Sequence, residues 1–371
     1  MSQKKSVIFF IGTLEAGGLE RFVSRICLLA TEKKSFNPIV ICLVKKSGIF
    51  LAPLEKMNIP VIEAPQGWQR SVSKMLEFSK VLRQLKADIV HTQVNFSLVQ
   101  QFLIVRLFSS LRFMVTERNC YPLSGISKVK RLIQFYFLKL FNVHYSANSV
   151  EVASYLSKMM HYPLSKIPVI ANGLDIPVED VAIRNSIRAK HGWQVDDFVI
   201  GYISRFAAHK GHSYFVRVMT EVHKQLNKDL KICFIGDGPV RAAVETQIAQ
   251  AELKELTTFT GIISNVEEYY QAFDATALLS EYEGMPNVVL EAMAYGLPVI
   301  ANPVGNVEEL MMGDAGIINR SDNPGATAAL ILDVALHKEK RKKIGFAAQE
   351  RIRNNFSLNS TLTLLCHHYG I

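Results

Sequence analysis

The fold class this sequence predicts is α/β, as two doubly wound parallel-sheet domains in tandem, and three observations predict it. Its 371 residues exceed what one hydrophobic core usually serves, and an apolar content of 49% is enough to fill two. Short β-rich runs alternate with amphipathic helical stretches, the rhythm of a parallel sheet covered on both faces. A polar stretch around 175–184, with Pro177 and three acids, breaks that rhythm like a linker, and then the alternation starts again. The expected domains are therefore residues 1–175 and 176–357.

In the first domain, strands are expected at Val7–Gly12, Ile39–Leu43, Val61–Glu63, Ile89–His91, Phe113–Thr116, His144–Ala147 and Val169–Ala171. Helices fall between them, at Leu19–Thr31, Val72–Leu85, Phe96–Phe108, Ile126–Phe141 and Val150–Met160. In the second, strands are expected at Phe198–Ser204, Lys231–Gly236, Thr257–Thr260, Ala275–Ser280 and Pro298–Asn302. Its helices are Ser213–Leu226, Val240–Ala251, Val266–Phe273, Val288–Tyr295 and Ala326–Leu336, followed by charged helical segments from Lys338 and a last helix from Leu358. Two such domains imply a cleft, lined by strand carboxyl ends where backbone amides and helix N-termini collect ligands.

Composition excludes several classes. Charged residues make up 20% of the chain and no run of about eighteen apolar residues occurs, so a polytopic membrane protein is ruled out. The five cysteines are scattered, without metal-ligand spacing, which points to a reducing compartment and away from disulfides and structural zinc. Lys4 and Lys5 precede an apolar run too short for a secretory signal, and the segment reads as a cytosolic first strand.

Net charge is +9 and unevenly spread. Residues 1–175 hold 23 Lys and Arg against 10 Asp and Glu, a net +13, whereas residues 176–371 hold 19 against 23, a net −4. The first domain should therefore be drawn to a nucleic acid, a phospholipid surface or a phosphate-bearing substrate, unless the charge is simply a solvated face. The segment Ile126–Phe141 is apolar at Ile126, Val129, Leu132, Ile133, Phe137, Leu140 and Phe141, with Lys128, Lys130, Arg131 and Lys139 interspersed. Such a helix can lie in an anionic membrane interface or pack on a sheet.

The most informative segment runs from Ser280 to Ala301, SEYEGMPNVVLEAMAYGLPVIA. A buried strand ends near Ser280, a Gly-Met-Pro turn follows, and a helix opens near Asn287 and closes at Gly296. Glu283 precedes that helix and Glu291 sits about one turn inside it. The unpaired amides of a helix N-terminus attract phosphate, and carboxylates beside a phosphate are better used on hydroxyls. A second segment, GYISRFAAHKG from Gly201 to Gly211, puts Arg205 and Lys210 on a strand-to-helix turn, where two cations can converge on one anion. Gly236, Gly238 and Gly261 are turn glycines, and Arg241 stands where a dinucleotide fingerprint needs its third glycine, which disfavours hydride transfer.

In these two segments the chain resembles the retaining glycosyltransferases of family 4, of GT-B architecture, whose hallmark is Glu-x7-Glu in this strand–turn–helix setting. The resemblance covers nearly the full length. It implies two Rossmann-like domains facing a cleft, with Glu283 on the transferred sugar, Glu291 on the nucleotide ribose, and the backbone of Gly284, Met285, Pro286, Asn287 and Val288 on the diphosphate. It assigns Arg205 and Lys210 to the leaving nucleoside diphosphate, and the loops at Gly236, Gly261 and Val266 to the base. Gly17 and Gly18, in a turn before a helix, would face the donor diphosphate and the acceptor. Many members carry a histidine where Arg118 stands; an arginine stays protonated, so any part of Arg118 in catalysis must be hydrogen bonding or charge pairing. His91 and Glu117, at neighbouring strand ends, are acceptor-side candidates. The final helix, 358–371, would cross back to the first domain.

The expected function is transfer of a hexosyl unit from a UDP- or GDP-sugar to a glycan, lipid-linked and part of cell-surface polysaccharide synthesis, with anomeric retention. No cofactor is expected, since the nucleotide sugar is the substrate, and no metal, since no Asp-x-Asp pair occurs and the helix N-terminus with two cations replaces it. The expected place is the cytoplasm, peripheral on the inner face of the membrane. Two other classes compete. A nucleotide-sugar epimerase of the same architecture would turn over its donor alone; a nucleic-acid-binding protein would suit the basic half, but no recognised nucleic-acid motif accompanies that charge, and no nucleic-acid partner is expected.

Overall fold

The computed structural model describes residues 4–15, 17–68, 71–93, 111–118, 143–226 and 229–371, with seven positions between 126 and 136. The chain divides into two compact units: unit 1 is Met1–Gly173 with Leu358–Ile371, and unit 2 is Leu174–Ser357.

Unit 1 is built on strands β1 (Ser6–Ile11), β2 (Asn37–Cys42), β3 (Val61–Glu63), β4 (Ile89–Thr92), β5 (Arg112–Glu117) and β6 (His144–Ala147). Unit 2 is built on β7 (Phe198–Ile203), β8 (Leu230–Ile235), β9 (Thr257–Phe259), β10 (Ala275–Leu278), β11 (Val299–Ala301) and β12 (Ile317–Ile318). All neighbours pair in parallel, in the orders β3-β2-β1-β4-β5-β6 and β12-β11-β10-β7-β8-β9. Numbered from its own first strand, each sheet is 3-2-1-4-5-6, the doubly wound order. Chain direction across the sheet therefore reverses between β1 and β4, and between β7 and β10, leaving room for a ligand at the carboxyl ends there.

The apolar runs follow from this burial. Successive side chains of a strand point to opposite faces, and a sheet covered on both sides needs both sets apolar. In β1, Val7, Phe9 and Ile11 enter one core with Phe22, Val23 and Ile26 of the helix Gly18–Glu32, while Ile8 and Phe10 enter another with Met75, Phe78 and Leu82 of the helix Val72–Gln84. In β7, Phe198, Ile200 and Tyr202 pack with Phe215 and Met219 of the helix His212–Leu226.

The last helix, Leu358–Tyr369, lies in unit 1, with Leu358, Leu362, Leu365 and Tyr369 in the first of those cores. Lys5 Nζ donates to the Gly370 carbonyl at 2.7 Å, and the Tyr369 hydroxyl lies 2.6 Å from His91 Nδ1.

Several expectations need correction. Val169–Ala171 is not a strand but a single bridge from Val169 to Ala147, because the chain leaves the sheet edge at once. The supposed linker ends early: Asp180 accepts from the Ala182 and Ile183 amides and so starts a helix, Val181–Lys190. The two-residue β12 and the short helices Leu51–Lys56 and Val307–Leu310 were too brief to show periodicity. The expected helix Phe96–Phe108 lies outside the described residues. Of Ile126–Phe141, the described positions are helical and serve two faces: Phe135 is buried beside Tyr145, with ring centroids 5.9 Å apart, whereas Ile126, Val129, Ile133 and Tyr136 are exposed. The described cysteines, Cys27, Cys42, Cys233 and Cys366, are free; Cys120 lies outside the described residues.

Tyr369 is fully buried, so Tyr369→Ala should cost about 3–5 kcal/mol, read as a lower urea midpoint for unit 1. Leu364→Ala, on the exposed side of the same helix, should change it by no more than about 0.5 kcal/mol.

Candidate functional site

The carboxyl ends of β7 and β10 adjoin in unit 2, and the loops after them carry most of the motif residues. Lys210, in the turn after β7, places Nζ 2.6 Å from Glu283 Oε1, and Ser280 Oγ donates to the same oxygen at 2.8 Å. Both side chains of the pair are largely covered, at 20% and 12% exposure, so the pair holds its charges in a setting where an ion pair is stronger than at an open surface. Arg205, the other expected cation, is exposed and makes no ion pair with a described residue.

The two loops are fastened by backbone and ring contacts. The Tyr202 hydroxyl donates to the Lys210 carbonyl and accepts from the Leu279 amide, and the Glu281 amide donates to the His209 carbonyl at 2.9 Å. His209 stacks on Tyr282, centroids 4.3 Å apart and planes 12° apart. Gly211 has φ +72°, and a Cβ there would stand 2.1 Å from the Leu279 carbonyl oxygen, so only glycine admits this approach.

The helix Asn287–Ala294 starts just beyond, with Pro286 at its N-cap and no side chain capping it. Met285 is buried and Val288 half-buried; the Gly284 carbonyl accepts from the Asn306 amide at 3.1 Å. Glu291 is buried, and its Oε2 accepts from the Tyr270 hydroxyl at 2.9 Å. The Gly236 amide donates to the Gly261 carbonyl at 3.0 Å, which ties together the turns after β8 and β9, and Val266 is buried at the start of the helix Val266–Ala272.

This is the construction of an anion-and-hydroxyl site: helix amides without a cap, a lysine, an exposed arginine and two carboxylates. The sequence model of the family described as Glycosyl transferases group 1 matches residues 183–351, and that described as Glycosyltransferase Family 4 matches residues 16–177. The chain belongs to the family 4 glycosyltransferases. It is 25% identical to N-acetyl-alpha-D-glucosaminyl L-malate synthase of Bacillus anthracis over 300 residues, 66% of this chain and 78% of that one. It is 30% identical to alpha-D-kanosaminyltransferase of Streptomyces kanamyceticus over 140 residues, 37% of this chain and 36% of that one. Other alignments also span less than half of the curated relative. Among solved structures, a glycosyltransferase from Rickettsia africae ESF-5 superposes with a TM-score of 0.82 at 21% identity, covering 99% of this chain and 98% of that one. HepE of Anabaena, solved with UDP, gives 0.82 at 18% identity and 99% of each chain. The glycosyltransferase thus has the two-domain GT-B fold.

In unit 1 of this glycosyltransferase, Gly17 is the extended N-cap residue of the helix Gly18–Glu32, which no side chain caps. Arg118 follows β5, and its Nη1 donates to Gln93 Oε1 at 2.6 Å. Glu117 is buried and engaged: Oε2 pairs with Arg131, and Oε1 accepts from the Arg118 amide at 3.2 Å. His91 is fully buried with both ring nitrogens occupied, by Tyr369 and, at 2.7 Å, by Thr116 Oγ1. Burial pulls its pKa down to about 3, so it is a neutral link between the sheet and the last helix and offers no ring nitrogen to a ligand.

Residue-by-residue reading missed Ser280, Tyr202, Tyr270, Gln93 and the His209–Tyr282 stack. Tyr282 and His209 each flank a motif residue, a position that could have flagged them; Tyr270 and Gln93 carry no local signal. Among the described residues, no group of three or more His, Cys, Asp or Glu gathers as metal ligands would.

His212 stacks on Phe206 at 4.1 Å, and burial, helped by Lys210, lowers its pKa to about 4. With the folded value below the ordinary 6.5, unfolding takes up a proton between about pH 4 and 6.5, so stability falls as pH falls through that window. The slope per histidine is about 1.4 kcal/mol per pH unit. Urea titrations from pH 7 to 4.5 should show a shallower loss for His212→Asn than for the natural chain, and an equal slope would contradict this.

Proposed function

We propose that this glycosyltransferase moves a hexosyl residue from a nucleotide sugar held by unit 2 to a glycan acceptor held by unit 1, with anomeric retention. The observation that carries the reading is the Lys210–Glu283–Ser280 cluster at the reversal between β7 and β10, beside an uncapped helix. Supporting it, HepE has been solved with UDP-glucose. The structural relative WaaG is involved in lipopolysaccharide biosynthesis, and a sequence relative from Salmonella typhi is a Vi polysaccharide biosynthesis protein. The pathway proposed is accordingly cell-surface polysaccharide synthesis.

On this reading Lys210 and Glu283 are partners until donor arrives. The diphosphate takes over Lys210, Arg205 and the amides of Gly284–Val288, and Glu283, released from the lysine, accepts from sugar hydroxyls. Glu291, anchored by Tyr270, accepts from the ribose. As the bond from anomeric carbon to phosphate oxygen breaks, negative charge grows on the diphosphate, where the cations and amides stabilise it most. The acceptor hydroxyl attacks from the same face, its oxygen bonding the anomeric carbon and its proton passing to the departing phosphate oxygen. No metal ion enters this scheme.

The acceptor we propose is lipid-linked, met at an anionic membrane from the cytoplasmic side. Ile126, Val129, Ile133 and Tyr136 are 51–75% exposed at helical spacing, on a segment whose sequence adds Lys128 and Lys130. An exposed apolar stripe beside lysines suits an anionic lipid interface. Among the described residues no helix is long and apolar enough to cross a membrane.

In thermal-shift titrations UDP or GDP should stabilise the protein, and Arg205→Ala or Lys210→Ala should erase the shift. Glu283→Gln should keep that shift yet lose about 10²–10³-fold in kcat. An inverted product would refute retention, loss of turnover with chelator would refute the metal-free scheme, and turnover of donor alone to an epimer would favour an epimerase. Sedimentation with phosphatidylglycerol-rich vesicles should exceed that with phosphatidylcholine, and Ile133→Glu should reduce it several-fold.

A further inference from the structure

In unit 1 the guanidinium of Arg118, at a strand end, has no carboxylate among the described residues. Arg118 stands at the carboxyl end of β5, next to β4, whose end carries Gln93. Its single side-chain hydrogen bond among the described residues is the one from Nη1 to Gln93, and the Phe22 ring lies 5.5 Å from its guanidinium carbon. Among other covered arginines, Arg184 and Arg188 share Asp274 and Arg131 has Glu117, while Arg112 donates to the His368 carbonyl at 3.3 Å. No described carboxylate comes within ion-pairing distance of Arg118, and the segments outside the described residues contain no Asp or Glu. Glu117 is spent on Arg131. Glu20 lies near enough to favour the charge of Arg118 but forms no ion pair with it; its carboxylate turns back toward Gly17, at the start of its own helix.

A half-buried cation with one neutral acceptor is under-compensated. Desolvation lowers its pKa to about 10, which still leaves it charged at neutral pH. A guanidinium has five donors in a planar fork suited to carboxylate or phosphate oxygens, and an anionic ligand would supply what Gln93 cannot.

We propose that Arg118 receives an anionic group, a carboxylate or a phosphate monoester, borne by the sugar that unit 1 binds. The proposal makes the acceptor an acidic glycan and gives Arg118 a part in choosing it. It rests on the reading of unit 1 as the acceptor side, though not on the donor chemistry of unit 2.

The test is saturation-transfer NMR on the full chain, titrating glucuronate, glucose 6-phosphate and glucose, with and without excess UDP to fill the phosphate-binding loops of unit 2. The natural chain should bind at least one anionic probe about tenfold more tightly than glucose, and UDP should not remove that preference. Arg118→Met should bring all three probes to equal affinity, and Arg118→Lys should keep part of the difference. Tighter glucuronate identifies a carboxylated sugar, tighter glucose 6-phosphate a phosphorylated one. Equal affinities in the natural chain, no detectable binding of any probe, or a preference that survives in Arg118→Met would each overturn the proposal. A UDP-induced thermal shift retained by Arg118→Met shows the variant is folded. Absence of that shift in the natural chain strikes the donor reading and leaves the comparison of the three sugars to decide this one.

Discussion

A strand buried on both faces has no side on which to carry a polar group, and the central strands of both units are of this kind. Val7 to Ile11 are all buried, as are Phe198 to Tyr202. Polar chemistry is thereby pushed to the strand ends, where side chains escape the core and the backbone amides of the following helices are unpaired. With the strand order 3-2-1-4-5-6, two loops at the centre of each sheet diverge to opposite faces, and the candidate residues of each unit gather there. Lys210 and Glu283 come from the loops after β7 and β10, Gly17 and Gln93 from those after β1 and β4.

The site in unit 2 is internally balanced. One lysine and one glutamate neutralise each other beside a serine hydroxyl, and the loops bearing them are fastened by Tyr202 and by the His209–Tyr282 stack. Such fastening lowers the cost of organising the site when ligand binds, because the loops are already held together. Opening the pair is the cost that remains, and a diphosphate, with more charge than one carboxylate, is a ligand able to meet it.

Unit 1 is organised differently. Its buried polar chain, Tyr369 to His91 to Thr116 to Ser146, is closed on itself and locks the last helix to the sheet. A histidine with both nitrogens occupied and its charge suppressed by burial is a structural part. Arg118 lies outside that chain, at a strand end, where the neutral Gln93 is its one side-chain hydrogen-bond partner among the described residues.

Much of this was legible in the sequence. Eleven of the twelve strands showed as apolar runs, because burial on both faces writes itself into consecutive residues. The motif from Ser280 to Ala301 placed a strand, turn and helix correctly, since each is local. What the sequence could not decide was which distant residues meet. Lys210 and Glu283 are 73 positions apart and His91 and Tyr369 are 278 apart; strand order joined the first pair and the return of the last helix joined the second. Composition and spacing determined the fold class and the residue types at the strand ends, because hydrophobic periodicity and turn chemistry act over a few residues. Which charges are paired, which histidines are neutral and which arginines lack a carboxylate were decided only by tertiary packing, because desolvation and ion pairing depend on neighbours that the chain brings together only when it folds.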